Sequence, residues 1–310
     1  MWMFLVLIYG VLKGVREIVK KKSLEKSSVM EVLFFYTLIG FLMVTPQYKQ
    51  AMGVSSRQMV YIALKSFVIF LAWICSFKAI HRMPISLYGV LDLSRVLFAT
   101  LLGTVVLHEV LSTTQIIGLI FVASGLLLLK YKPRFLARRQ LRRVIAEGQE
   151  AVAGRASGVE ANLKIQTGEG VEIIYIVFAF ISCLLNAFSG LMDKLLMREL
   201  NSSQLQFWYM LFLALLYFAY LAFSRTRVDW KGAVKNYWIW ILSLLFILAD
   251  KALFLANGMA ESRITVMTLI KQSGCVVTIL AGKFIFREKN VGYKLFCACV
   301  IVIGIVVGVM

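Results

Sequence analysis

Ten apolar stretches separated by short polar runs make up most of the chain, at about 2–22, 29–47, 57–79, 84–107, 113–130, 171–199, 204–223, 236–258, 264–286 and 291–309. Each is near the roughly 20 residues that a helix needs to cross a ~30 Å hydrocarbon layer. Several starts carry a serine followed three positions later by Glu or Gln, the reciprocal capping pattern of a helix N-terminus: Ser28 with Glu31, Ser55 with Gln58, Ser112 with Gln115 and Ser203 with Gln206. Pro84 suits the first turn of the fourth helix. The pattern predicts an all-α polytopic membrane protein with ten transmembrane helices.

The stretch PISLYGVLDLSRVLFATLLGTVVLHEVLSTTQIIGLIFVASGLLLL, from Pro84, has an echo in RITVMTLIKQSGCVVTILAGKFIFREKNVGYKLFCACVIVIGIVVG, from Arg263. Laid together without a gap, Asp92 falls on Lys271, Ser94 on Ser273, Gly103 on Gly282, Glu109 on Glu288 and Gly125 on Gly304. The fronts of the two halves align in the same way, Gly14 on Gly190, Glu17 on Asp193 and Ser27 on Ser203. The chain therefore divides into a first five-helix repeat at 1–130, a basic linker at 131–170 and a second five-helix repeat at 171–310. An odd number of spans per unit inserts the second unit upside down, which makes the two repeats inverted. The first part of the linker, KYKPRFLARRQLRRVI, reads either as an interfacial helix with arginines on one side or as a solvated connection.

A hydrophobic content of 60% and a mean hydropathy of +0.82 exclude an ordinary soluble domain. The first apolar run lacks a preceding basic region and a small-residue cleavage site, so a retained span is expected. The formal charge of +18 does not imply nucleic acid, because the basic residues cluster in loops after odd-numbered spans. Those loops are expected in the cytoplasm, with both termini outside. The five cysteines lie in apolar stretches without metal-ligand spacing, and His81 and His108 fall at span ends without a nucleophile nearby in sequence. No enzyme activity, cofactor or metal is expected.

Charge inside apolar helices marks the candidate site, because each such residue costs about 2.5–3.5 kcal/mol to insert. Asp92, Arg95 and Lys271 fall near mid-membrane, with Tyr88 sharing one helix face and Gln272 beside Lys271. Asp92 and Arg95 either neutralise each other locally, or Asp92 pairs across the repeats with Lys271 and leaves Arg95 to a substrate. Asp250 in the eighth span reads as a proton-coupling carboxylate or as the permanent partner of a lysine such as Lys65. Asn186 sits on a polar stripe with Ser182, Ser189 and Asp193. Glu17 and Asp193 are further ion-coupling candidates, or charges that reach water from near helix ends. Counting Lys65, Arg95, Lys251 and Lys271 against Asp92 and Asp250 leaves about two interior positive charges, which an anionic or zwitterionic substrate would balance.

The endings HEVLSTTQIIGLIFVASGLLLL and REKNVGYKLFCACVIVIGIVVG, a Glu after the fourth helix of each half and then a glycine-containing fifth helix, resemble the EamA-like branch of the drug/metabolite transporter superfamily. The resemblance covers nearly the whole chain outside the linker. It implies ten helices in two inverted halves, a cavity lined by the first four helices of each, and the fifth and tenth at the periphery. The sequence departs from many members in the low charge of its second loop, TPQYKQAMGVSSRQ. The reading is a secondary transporter of a small anionic or zwitterionic metabolite in a bacterial cytoplasmic membrane, working by alternating access. Alternatives are a lipid-phosphate flippase or scramblase and a non-transporting membrane scaffold. The partners expected are a small-molecule or lipid-phosphate substrate and membrane lipids, with no nucleic acid. Gly304 and Gly308 offer either a homodimer face or a close packing step within the chain.

Overall fold

The structure, a computed structural model, describes residues 2–108, 111–130, 171–224, 228–259, 261–262, 264–271, 274–288 and 291–309. The linker with its expected interfacial helix, Glu109 and Gln272 lie outside the described residues. The helices are α1 (Trp2–Ser23), α2 (Val29–Val44), α3 (Tyr48–Ala51), α4 (Ser56–Arg82), α5 (Ile85–Asp92), α6 (Arg95–Leu107) and α7 (Thr113–Lys130). After the linker come α8 (Ile173–Leu196), α9 (Ser202–Ser224), α10 (Trp230–Lys235), α11 (Tyr237–Asn257), α12 (Ile264–Lys271), α13 (Gly274–Phe284) and α14 (Val291–Val309). Seven helical segments among the described residues are long and apolar enough to cross a membrane, and the protein is an integral membrane protein. Helix α1 is long enough but carries Lys13, Arg16 and Glu17 along its length.

Three of the four expected capping boxes form. Ser28 and Glu31 start α2, Ser55 and Gln58 start α4, and Ser112 and Gln115 exchange bonds of 3.0 and 3.2 Å before α7. The fourth does not form at Ser203. Asn201 and Gln204 exchange bonds of 2.9 and 2.8 Å instead, because Asn caps at least as well as Ser. Ser203 and Gln206 are thereby released to bond Gln50 and the Ile247 carbonyl. The helix ends Ser23 and Leu196, the caps Ser28 and Asn201, and Tyr36 and Tyr209 keep one spacing, three residues shorter than the spacing from Gly14 to Gly190. The gap-free pairing of the two fronts is corrected accordingly.

The helix that the sequence pattern predicts as the fourth span is broken. Between α5 and α6 the backbone bonds run to the third preceding residue, Leu93 to Val90 at 3.2 Å, Ser94 to Leu91 at 3.0 Å and Val96 to Leu93 at 3.1 Å. Such a tightened turn eclipses side chains three apart, which sets Arg95 Nη2 2.9 Å from Asp92 Oδ1. The counterpart stretch is described as α12, to Lys271, and α13, from Gly274, with 272–273 outside the described residues. A one-turn change of helix type leaves no trace in hydrophobic periodicity.

Packing recurs in exchanged form between the halves. α1 packs along α11 and α4 along α8, while α2 packs on α11 and α4 on α9. The following helices obey the same rule, α12 and α13 against α1, and α6 and α5 against α8. Ser66 of α4 donates to its own Ile62 carbonyl at 2.8 Å and to Tyr209 O of α9 at 3.4 Å. Ser243 of α11 does the same with Ile239 at 2.9 Å and Tyr36 O of α2 at 3.0 Å. At the centre Tyr36, Trp73 and Phe246 meet at ring separations of 5.1 Å, with Tyr209 6.3 Å from Phe246. Each such pair adds about 0.5–1.5 kcal/mol beyond area burial.

Glycines set the closest approaches. A Cβ on Gly274 would run into the Gly10 carbonyl, and one on Gly14 would meet the Gly274 carbonyl, so α1 and α13 touch backbone to backbone. Gly274→Ala should cost about 1–3 kcal/mol from overpacking. Gly292→Ala in α14 meets nothing within 4 Å and should leave the melting temperature unchanged or raised, so thermal unfolding of the two variants checks the contact. The face offered by Gly304 and Gly308 is covered within the chain: both pack against Gly118 of α7. This is the close packing step within the chain, with α7 bringing its own glycine to the same seam.

Candidate functional site

A polar cavity lies between α1, α4, α8 and α11, flanked by α5, α6 and α12. Its volume open to water centres is about 80 Å³, room for several ordered waters. Helix α1 contributes Tyr9, Lys13, Arg16, Glu17 and Lys20, and α4 adds Lys65, Trp73 and Ser76. From α8 come Asn186, Ser189 and Asp193, and from α11 Phe246 and Asp250. Tyr88 of α5, Arg95 of α6, Tyr209 of α9 and Lys271 of α12 complete the wall.

Helical spacing explains the contribution of α1. Residues 13, 16, 17 and 20 stand at i, i+3, i+4 and i+7, one face of a helix, and all four side chains are turned inward. The opposite face presents Phe4, Leu7, Ile8 and Val11, which are exposed, as suits contact with lipid. This stripe of charge is what separates α1 from the other long helices.

The charges are arranged as pairs. Lys20 Nζ stands 2.6 Å from Glu17 and 3.2 Å from Ser76 Oγ. Lys65, only 1% exposed, stands 2.9 Å from Asp193 and 3.5 Å above the centre of the Tyr209 ring. Arg16 reaches Asp250 at 3.6 Å, and its guanidinium also lies 5.1 Å from the Phe246 ring. Asp92 lies just behind the cavity wall, beside Gly89, Gly274 and Cys275, where it receives both Lys13 and Arg95. Lys271 has no carboxylate within ion-pair distance among the described residues. It lies 5.7 Å from the Tyr9 ring, a cation–π contact weaker than a buried ion pair.

Most residues expected from the sequence therefore converge. Tyr88, Arg95, Lys271, Asn186, Asp250, Asp193 and Glu17 all line one cavity, and Asp92 abuts it. Three expectations change. Asp92 pairs with Arg95, as the local reading expects, and also with Lys13, rather than with Lys271, because α1 places a lysine beside it. Lys65 pairs with Asp193, and Asp250 with Arg16. Lys251 points away from the cavity to Gln47 at 2.9 Å and Ser203 at 2.8 Å, since neighbours on a helix lie about 100° apart. Sequence reasoning missed Arg16 and Lys20 as lining residues; the spacing from 13 to 20 was the signal, obscured by the lysine run that follows.

The sequence matches the EamA-like transporter family over residues 1–131 and 173–310. The chain belongs to the EamA-like transporter family. The matched segments hold every cavity residue named above and leave out the linker. A search of curated proteins finds no match. Among solved structures, one crystal structure superposes with a TM-score of 0.61 over 99% of this chain and 95% of its own, at 14% identity. At that identity the likeness to this EamA-like protein is one of fold alone.

Proposed function

We propose that this EamA-like protein is a secondary transporter that moves a small charged metabolite through the cavity by alternating access. The observation that carries the reading is a cluster of buried charges at the contact between the two halves, with one lysine lacking a counter-ion among the described residues. Buried charge of this kind is costly to insert and in membrane proteins marks a substrate or ion path. The exchanged packing, and the mirrored bonds of Ser66 and Ser243, support two inverted five-helix units, 1–130 and 171–310, joined by the linker at 131–170. On this reading α5 with α6 form one interrupted span, and α12 and α13 belong to one further span, giving ten in all. Interrupted helices beside a binding site are a known way to present charge to a substrate at mid-membrane.

The test is solute counterflow in proteoliposomes against a panel of organic anions and amino acids. Saturable exchange of at least one solute, absent from protein-free vesicles, is the expected result. A panel that includes no exchanged solute, with well-folded protein, would count against the transporter reading.

Asp250 is the proposed coupling carboxylate. Its pair with Arg16, at 3.6 Å, is longer than the Glu17 and Asp193 pairs at 2.6 and 2.9 Å, so its proton exchanges with the least disruption. Asp250→Asn should abolish uphill uptake driven by an imposed pH gradient while leaving counterflow intact. Full uphill uptake in that variant would assign Asp250 a structural role.

A further inference from the structure

The charge inventory of the cavity specifies more than the sign of its substrate. Among the described residues six cations face the cavity: Lys13, Arg16, Lys20, Lys65, Arg95 and Lys271. The carboxylates within reach are Glu17, Asp193 and Asp250 on its wall and Asp92 directly behind it. Three of the cations have one carboxylate each. Lys13 and Arg95 must share Asp92, and Lys271 has none. The surplus is two positive charges, and it has an address. One unit belongs to the Lys13–Asp92–Arg95 group and the other to Lys271, at α6 and α12, which pack together.

Buried polar atoms without a hydrogen-bond partner in the same wall include two donors, Arg95 Nε and Arg16 Nη1, the latter 3.6 Å from Asp250, and one acceptor, Asp193 Oδ1, which stands 2.9 Å from Lys65 Nζ. Each of the four carboxylates already holds a cation, so none is set aside for a substrate ammonium. A zwitterion entering this cavity would leave the surplus as it was. A monoanion would halve it. A solute with two negative charges would cancel it and supply acceptors to the vacant donors.

We infer that the cavity selects a small organic dianion, a phosphate monoester or a dicarboxylate, seated between Arg95 and Lys271. This rests on the transporter reading and narrows it, excluding zwitterionic amino acids as the preferred cargo. The aromatic rings support the same arrangement. Tyr9, Tyr209 and Phe246 receive Lys271, Lys65 and Arg16 on their faces, which keeps the cations inside the empty cavity without neutralising them.

The experiment is a charge series on the purified full-length protein in phosphatidylcholine nanodiscs, read by ligand-induced thermal stabilisation. The probes are phenyl phosphate against methyl phenyl phosphate, succinate against monomethyl succinate, phenylalanine as the zwitterion, and farnesyl phosphate as a membrane-borne phosphate monoester. Within each pair the skeleton is retained and one negative charge is lost. At least one dianion should bind about tenfold or more tightly than its monoanionic partner. Stabilisation by farnesyl phosphate alone keeps the dianion and assigns its source to the bilayer; stabilisation by phenyl phosphate or succinate assigns it to water. Lys271→Met, which removes the unpaired unit, should bring the two members of a pair to within a few-fold of each other.

Equal or tighter binding of phenylalanine or of the monoanions to the native protein would overturn the inference. So would an unchanged dianion preference in Lys271→Met. The charge series on the native protein decides the matter even if that variant does not fold. Counterflow of an amino acid or monoanion would sink the dianion and leave the transporter standing, whereas the absence of any exchanged solute would remove both.

Discussion

Asp92→Asn should lower the stability of the protein by about 3–5 kcal/mol, the usual cost of removing one partner from a buried ion pair. The loss should be at the upper end because Asp92 serves two cations at once. Lys13 and Arg95 both reach it, and without it two largely buried like charges would face each other at the cavity wall. Lys13→Met in the same background should return a large part of the loss, since only Arg95 then lacks a partner. Asp92→Asn combined with Lys271→Met should recover less than the combination with Lys13→Met does, because Lys271 is not bonded to Asp92 whereas Lys13 is. Thermal unfolding of the native protein, the three single variants and the two double variants in one detergent measures both cycles. Coupling with Lys271 and none with Lys13 would mean that the observed pairing is not the one that holds the empty protein together.

That cycle also separates what the sequence could convey from what it could not. Hydrophobic spacing located the helices, because burial in lipid demands long apolar runs wherever the chain crosses. Polar residues in the middle of those runs pointed to the cavity, so Tyr88, Arg95, Asn186, Asp193, Asp250 and Lys271 were all legible as its lining. Their partners were not. Pairing depends on which helices adjoin, and sequence alone could not show that α1 packs against α5, α12 and α13. Nothing local to Lys13 indicates Asp92, 79 positions away.

The break between α5 and α6 was hidden for a different reason. Leu93 and Ser94 are unexceptional helix residues, and no proline or glycine announces a change of backbone between α5 and α6. The turn tightens around the bonded pair of Asp92 and Arg95, so its cause is tertiary as much as local. Lys251 illustrates the opposite error. Its depth in the sequence matched that of Asp250, but depth along a helix does not fix azimuth, and its side chain reaches the polar seam of Gln47 and Ser203 instead.

Asp193→Asn is expected to be as damaging as Asp92→Asn, through a single pair. Lys65 is the most enclosed cation of the cavity at 1% exposure, with its ammonium 2.9 Å from Asp193 Oδ1. Its remaining neighbours are the rings of Tyr209 at 3.5 Å and Phe254 at 5.2 Å. Those contacts supply about 0.5–2 kcal/mol, too little to replace a carboxylate for a desolvated charge, so Asp193→Asn should cost about 3–5 kcal/mol. Lys65→Met should cost less. It leaves a carboxylate that borders the cavity, where water can enter, and a thioether that fills the space left under Tyr209. The double variant Lys65→Met with Asp193→Asn should be more stable than Asp193→Asn alone, because no unpaired charge remains. The pair also joins α4 to α8 across the halves, so removing both members should speed exchange between conformations if it braces them. Measured counterflow should then rise or persist in the double variant while stability stays near that of Lys65→Met. A double variant no more stable than Asp193→Asn would show that packing around Tyr209, not the ion pair, sets the energetics of this contact.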